Sequence, residues 1–260
     1  MLGAIAWLFG LFAAVSPGNA LTPQNVESIV QRSIVANEAD WCAEPDYDHW
    51  ERDDTGSEAK TYQVSMIDGT PYERLFEIDD QPLSAARQRD EQRKWDKVMG
   101  GRASESPSQR AHRLAAYQRQ HDRVRALFHE LGQAFEFTFH GQRPLGSRTV
   151  YVLEATPRSD YKPSNIDARA LTGMHAEFWI DTQSYHWAKV TARVHRPISV
   201  FGVLIRLEPG TFLELEKAPV GDDVWLTTHL AVRSEAKILS FLPHRTYEDD
   251  RYYNYTKVSP

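Results

Sequence analysis

The sequence predicts an α+β fold, mainly β, in which one curved antiparallel sheet carries a lead-in helix and a helical cover. Two observations predict it. From His175 to the C-terminus the chain reads HAEFWID, YHWAKVTARVH, FGVLIRL, TFLELEK, DVWLTTHLAVR and RTYEDDRYYNYTKV, alternating segments separated by turn signals. Between Ser84 and Gln133 the character changes to long, charged and helical, so the helices are grouped rather than interleaved with strands. No catalytic motif sits in the strand-rich half, and its alternation suggests a sheet that curves around something apolar.

With 260 residues and 41% hydrophobic content, the chain can fill one sizeable core, read here as one mature domain. The net charge of -6 argues against nucleic acid as the main partner, since phosphate binding needs a concentrated basic surface. The single cysteine, Cys42, excludes an internal disulfide framework and a cysteine-based zinc cluster. It is expected as an ordinary buried or half-buried thiol, the alternative being a pairing site for another chain.

In chain order, the apolar run from Leu2 to Val15 followed by Ser16-Pro17-Gly18-Asn19-Ala20 reads as a signal peptide cleaved after Ala20. It is short for a membrane span, although no Lys or Arg precedes it, and an uncleaved anchor is the alternative. Thr22-Pro23 starts a helix with a hydroxyl cap and a first-turn proline. Val26, Ile29, Val30, Ser33 and Ile34 then form one stripe that ends around Asn37 to Trp41. Three strand-like pieces follow, Tyr47 to Arg52, Lys60 to Ile67 and Pro71 to Asp79, with turns at Asp53-Asp54-Thr55-Gly56 and Asp68-Gly69. The helical stretch from Ser84 to Gln133 breaks at Gly100-Gly101 through Pro107. Its first half offers Trp95, Val98 and Met99 as large apolar residues, and its second buries Leu114, Tyr117, Val124, Leu127, Phe128 and Leu131. Basic residues outnumber acidic ones here, which fits two solvated amphipathic helices or a basic lid that meets anionic head groups or an acidic partner. Phe135, Phe137 and Phe139 then share a strand face. Gly141 to Ser147 turns into Val150 to Thr156, and Arg158 to Gly173 is a loop with one helical turn.

Catalytic and metal patterns are weak. His129-Glu130-Leu131-Gly132-Gln133 lacks the second histidine that lets one helix face hold zinc. His112 and His121 fall on opposite faces, and His121 and His129 lie about 12 Å apart along the axis, so these histidines are expected on the polar face. The acidic pairs Asp53-Asp54, Asp79-Asp80, Asp222-Asp223 and Asp249-Asp250 are expected at turns and strand ends. A glycosidase-type carboxylate pair from distant strands would make the chain a hydrolase, the third-ranked reading. No nucleophile elbow or phosphate-cradling glycine loop is present. The aromatic residues Phe178, Trp179, Trp187, Phe201, Phe212, Trp225, Phe241 and Tyr252-Tyr253-Tyr255 fit either a plain sandwich or barrel core or a ligand-lined concavity. A concavity alone would suffice for a lipid, because one long acyl chain offers about 10 kcal/mol gross at about 0.8 kcal/mol per methylene.

The signal peptide, the Thr22-Pro23 helix ending in Ala36-Asn37-Glu38, the unit Ala176-Glu177-Phe178-Trp179-Ile180-Asp181 leading into Trp187-Ala188-Lys189-Val190, and Asp223-Val224-Trp225-Leu226-Thr227-Thr228-His229-Leu230 together carry a resemblance. The chain resembles the periplasmic outer-membrane lipoprotein-sorting, LolA/LolB-like, superfamily, with Thr227 where that superfamily usually has proline. The resemblance implies a curved antiparallel half-barrel over residues 21–260, its concave side covered by helices, with an apolar cavity for lipoprotein acyl chains and no catalytic residue. The basic insertion at 84–133 departs from it. The first expectation is therefore a non-enzymatic periplasmic lipid or lipoprotein carrier without a cofactor. Its trough is lined by Phe135, Phe137, Phe139, Phe178, Ile180, Val190, Phe212, Leu226 and Leu230 and gated around Trp95 and Leu127. The second is an envelope regulatory or assembly protein that docks another envelope protein through Arg119, Arg123 and Arg125.

Overall fold

The computed structural model describes residues 23–199, 205–221, 223–238 and 242–258. The export segment, the Thr22 cap, Phe201, Asp222 and Phe241 lie outside the described residues. Helix α1 (Pro23–Ala43) is followed by a 3-10 turn and the meander β1 (Tyr47–Asp54), β2 (Ala59–Ile67), β3 (Thr70–Ile78) and β4 (Gln81–Pro82). Helices α2 (Ala85–Ala103) and α3 (Pro107–Ala134) come next, then β5 (Phe135–Leu145), β6 (Arg148–Pro157) and a 3-10 segment at Ala168–Gly173. The remaining strands are β7 (Met174–Asp181), β8 (Trp187–Val194), β9 (Ile198–Ser199), β10 (Ile205–Leu207), β11 (Phe212–Gly221), β12 (Val224–Ile238) and β13 (Leu242–Lys257).

All strands join one antiparallel sheet in the order β4-β3-β2-β1-β13-β12-β11-β8-β7-β6-β5, with β10 on β12 and β9 on β10. The first and last strands meet near its centre, where β1 pairs with β13. The sheet stays open, with β4 and β5 as edges, and forms a curved half-barrel. Irregular registers at Asp48/Trp50, Thr61/Tyr62, Phe139/Gln142, Trp179/Ile180 and Glu216/Lys217 place extra residues in one strand of a pair. Such bulges increase local twist and bend.

Helix α1 forms because its buried residues recur at helical spacing: Val26, Ile29, Val30, Ser33, Ile34, Asn37 and Asp40. It runs to Ala43, past the predicted end. Its apolar half packs with Leu131, Phe135, Leu153, Phe178, Ile180 and Trp187 in the main core. Its polar half is bolted to the sheet. Trp187 Nε1 donates to Ser33 Oγ at 3.2 Å, Lys217 Nζ donates to Asp40 Oδ2 at 2.8 Å and to Asn37 Oδ1 at 3.0 Å, and the Trp225 amide donates to Asp40 Oδ1 at 2.8 Å. A smaller apolar cluster of Val150, Val152, Ala188 and Trp225 occupies the other side of the sheet.

The break between α2 and α3 is narrower than predicted, because α2 continues through Gly100 and Gly101. Ser106 and Gln109 restart the chain as a reciprocal capping box, with Pro107 in the first turn. Arg113 fastens this corner to the β2–β3 turn, its Nη1 donating to Thr70 Oγ1 at 2.7 Å while its Nε and Nη2 each donate to the Glu105 carboxylate at 2.8 Å. His121 is not a polar-face residue. It is buried, its ring stacks on Trp41 at 4.5 Å, and Trp41 Nε1 donates to the His121 carbonyl at 3.0 Å. Cys42 is exposed rather than buried.

Candidate ligand-binding trough

The concave wall is ordered in rows that cross the strands. One row of registered residues reads Phe139, Leu153, Phe178, Val190, Leu215, Leu230, Asp250, Asp53 and Lys60. Its neighbour reads Phe137, Ala155, Ala176, Ala192, Leu213 and Val232. Residues opposite one another in an antiparallel pair share a face, so each row is a cross-section of the wall. The first passes from apolar to acidic at β13. The second is small in the middle, and those alanines leave room above the floor.

That room is a cavity of about 500 Å³. Its floor is Met174, Ala176, Phe178, Trp187, Val190, Ala192, Leu213, Leu215, Leu226 and Leu230, with Tyr252 and Tyr255 at the β13 side. Trp41 of α1 and Val124, Leu127, Phe128 and Leu131 of α3 roof it, while Ala170 and Leu171 of the second 3-10 segment close one flank. The seam between α3 and that segment is held by Arg123, whose guanidinium donates to both oxygens of Asp167 at 2.8 and 2.9 Å. Val124 and Ile166 are exposed beside it. A second tie lies further along α3, where Tyr161 and Ser164 donate to the Glu130 carboxylate.

One end of the cavity is polar and internally satisfied. Lys217 donates to both Asp40 and Asn37 there, and burial draws the Lys217 ammonium below its usual range against the pull of Asp40. Glu44 also lines this end, and burial raises its carboxyl. The aspartates that line the cavity do not converge as a hydrolytic pair, since Asp40 is bonded to Lys217 and Asp167 to Arg123.

The concave wall beside the cavity, past Leu230 and Tyr252, is acidic. Glu51 lies opposite Tyr252, and Asp53 lies opposite Asp250, on the concave face. Burial first, then the Glu73 and Asp250 carboxylates, raises Glu51 to about 7; burial and then Asp53 raise Asp250 to about 6. The Asp249-Asp250 pair thus sits inside a long strand, not at a turn, whereas Asp79 and Asp80 occupy a left-handed turn as expected, with φ of 51° and 58°.

The structure brings Phe135, Phe178, Val190, Leu226 and Leu230 together on the cavity wall. Phe137 and Phe139 line a separate hollow with Val26, Val30 and Gln31 of α1. Ile180 is 1% exposed and packed inside the main core. Phe212 turns to the opposite face from Leu213, its ring under the Arg193 guanidinium at 4.3 Å. Trp95 does not gate the cavity: it packs edge-on against Tyr72 at 5.4 Å, beside Arg74. Leu127 does line it. On α3, Arg123 and Arg125 are engaged within the chain, by Asp167 and Glu38, and Arg119 is exposed. Sequence reasoning missed Leu213, Leu215 and Met174, although the alternation of TFLELEK already put both leucines on one face. It also missed Asp40, Lys217 and Asp250, whose burial depends on distant partners.

Among the described residues, Glu214, Glu216 and His229 are close enough to share a metal ion. Lys189 already lies between those carboxylates, at 2.8 Å from Glu214 and 3.0 Å from Glu216, and His229 faces Asp249 at 3.1 Å.

No protein-family model and no curated protein matches the chain. Solved structures similar to it include a LolA superfamily protein from Nitrosomonas europaea, at 12% identity over 93% of this chain and 95% of that one, with a TM-score of 0.33. A DUF1329 family protein from Desulfovibrio piger matches at 7% identity over 89% and 92%, with a TM-score of 0.31. A putative outer membrane lipoprotein-sorting protein domain from Vibrio parahaemolyticus matches at 8% over 88% and 93%, also at 0.31. The chain is similar to LolA-like proteins.

Proposed function

We propose that this chain is a periplasmic lipid or lipoprotein-binding carrier that holds acyl chains in the trough and catalyses no reaction. The observation that carries the reading is the cavity of about 500 Å³, whose floor and roof are almost wholly hydrocarbon. Its volume falls within the roughly 300–1,000 Å³ of small-ligand pockets. Its polar end is already self-satisfied, so apolar burial is what the middle of the cavity offers. Export behind a leader cleaved after Ala20, and a single domain over 21–260 with the helices at 84–133 inserted, belong to the same proposal. No helix among the described residues is long and apolar enough to cross a membrane.

The test is uptake of a fluorescent acyl probe by the wild type and by Ala192→Phe, which places a ring in the space above the floor. Saturable one-to-one uptake by the wild type, reduced at least about tenfold in a variant that still unfolds cooperatively, is expected. Equal uptake by the two proteins, or none by either, would overturn the reading.

A further inference from the structure

We propose that the acidic wall next to the cavity is a subsite for a cationic head group, so that the trough's ligand is an amphiphile with an apolar chain and an ammonium end. The proposal rests on the reading of the cavity as an acyl-chain site. Glu51, Asp53 and Asp250 share the concave face with Leu230 and Tyr252, which line the cavity, and follow them directly in register. Asp250 is 8% exposed, and its Oδ1 has no hydrogen-bond partner. Its Oδ2 receives one long bond, from the Tyr252 hydroxyl at 3.5 Å. A buried carboxylate oxygen left without a donor is costly, and a bound cation would remove that cost.

The surrounding groups do not supply the cation. Glu73 from β3, Tyr62 from β2, and Glu248 and Asp249 beside Asp250 add acidic or neutral neighbours. Lys60, paired in register with Asp53, is engaged by Glu58 at 2.6 Å, and Asp249 is turned to His229. Burial holds His49 below the usual imidazole range, so it remains neutral at pH 7. Its ring lies 5.8 Å from that of Tyr252 and 5.1 Å from that of Tyr255. Aromatic rings beside carboxylates are the setting in which an organic ammonium gains cation–π attraction as well as charge pairing. A metal ion fits less well. The wall's carboxylates are not among the described groups close enough to share one.

The experiment compares one-to-one binding of tetradecyltrimethylammonium and myristate, both below micelle formation, to the wild type and to Glu51→Gln/Asp250→Asn. At pH 8 the wild type is expected to prefer the ammonium probe by about tenfold, and the double variant to lose that preference while still taking up myristate. The ammonium probe carries its charge at every pH. Its affinity for the wild type should therefore fall between pH 8 and pH 5 as Glu51 and Asp250 take up protons. Equal binding of the two probes by the wild type, or a preference that survives the double substitution, would overturn the head-group subsite and leave the acyl reading standing. Failure of both probes to bind would overturn both. A lysine-rich peptide without an acyl chain that bound as tightly, with the same sensitivity to the double substitution, would assign the wall to a protein partner and overturn the proposal.

Discussion

Asp40 is 1% exposed and is the partner of the buried Lys217 ammonium, the Trp225 amide and the His186 ring, whose Nε2 lies at 3.3 Å. Removing one member of a buried ion pair leaves the other charge uncompensated, so Asp40→Ala should lower unfolding free energy by about 3 kcal/mol or more. Asp40→Leu combined with Lys217→Met should recover much of that loss, as read from urea melts. Equal losses in the two variants would show that the pair is not the reason. Glu51 and Asp250 behave in the opposite sense. Their folded values, about 7 and about 6, stand above the ordinary carboxyl values of 4.5 and 3.8, so the folded state binds more protons and stability declines as pH rises between about 4 and 7. Glu51→Gln in the ligand-free protein should therefore stabilise it by about 2 kcal/mol at pH 8 and leave it nearly unchanged at pH 4. A gain that does not vary with pH would contradict the assignment.

At the scale of elements, α3 is both roof and wall, and the Arg123–Asp167 pair closes its outer seam. An exposed ion pair is worth less than about 1 kcal/mol. Arg123→Ala should accordingly raise probe dissociation by a few-fold in stopped-flow measurements, with melting temperature almost unchanged, and an unchanged off-rate would remove the seam as a gate. The α3 cap matters in a different way: Ser106→Ala should cost about 1 kcal/mol in thermal unfolding. Much at this scale was legible in the sequence, because local periodicity carries it. The α1 stripe, the β1–β3 meander, the two helices and the paired strands β7 and β8 all follow from spacing and turn residues. What escaped depends on contacts between distant segments. His121 looked polar on its helix until Trp41 was folded against it, and Asp250 read as a turn or strand-end residue because adjacent aspartates favour turns, although both lie inside β13. Phe212 and Leu213 differ in face by a single step of alternation, and apolar content alone could not choose between them.

For the whole molecule, the β1–β13 seam joins the β1–β4 meander to the rest of the sheet only after the last strand has been made. A chain truncated before Leu242 lacks the strand between β1 and β12. It should lose cooperative unfolding and probe uptake together, whereas two-state melting of such a fragment would show that the halves are independent. The junction of α3 and β5 has a mechanical corollary. Ala134 ends the helix and Phe135 begins the strand, both almost fully buried, so no slack joins them. A roof anchored in this way cannot swing up like a flap. If the trough takes a ligand as proposed, this junction leaves rolling of α3 on its long axis, or peeling from its Ser106 corner, as the motions that would admit it beside Asp167.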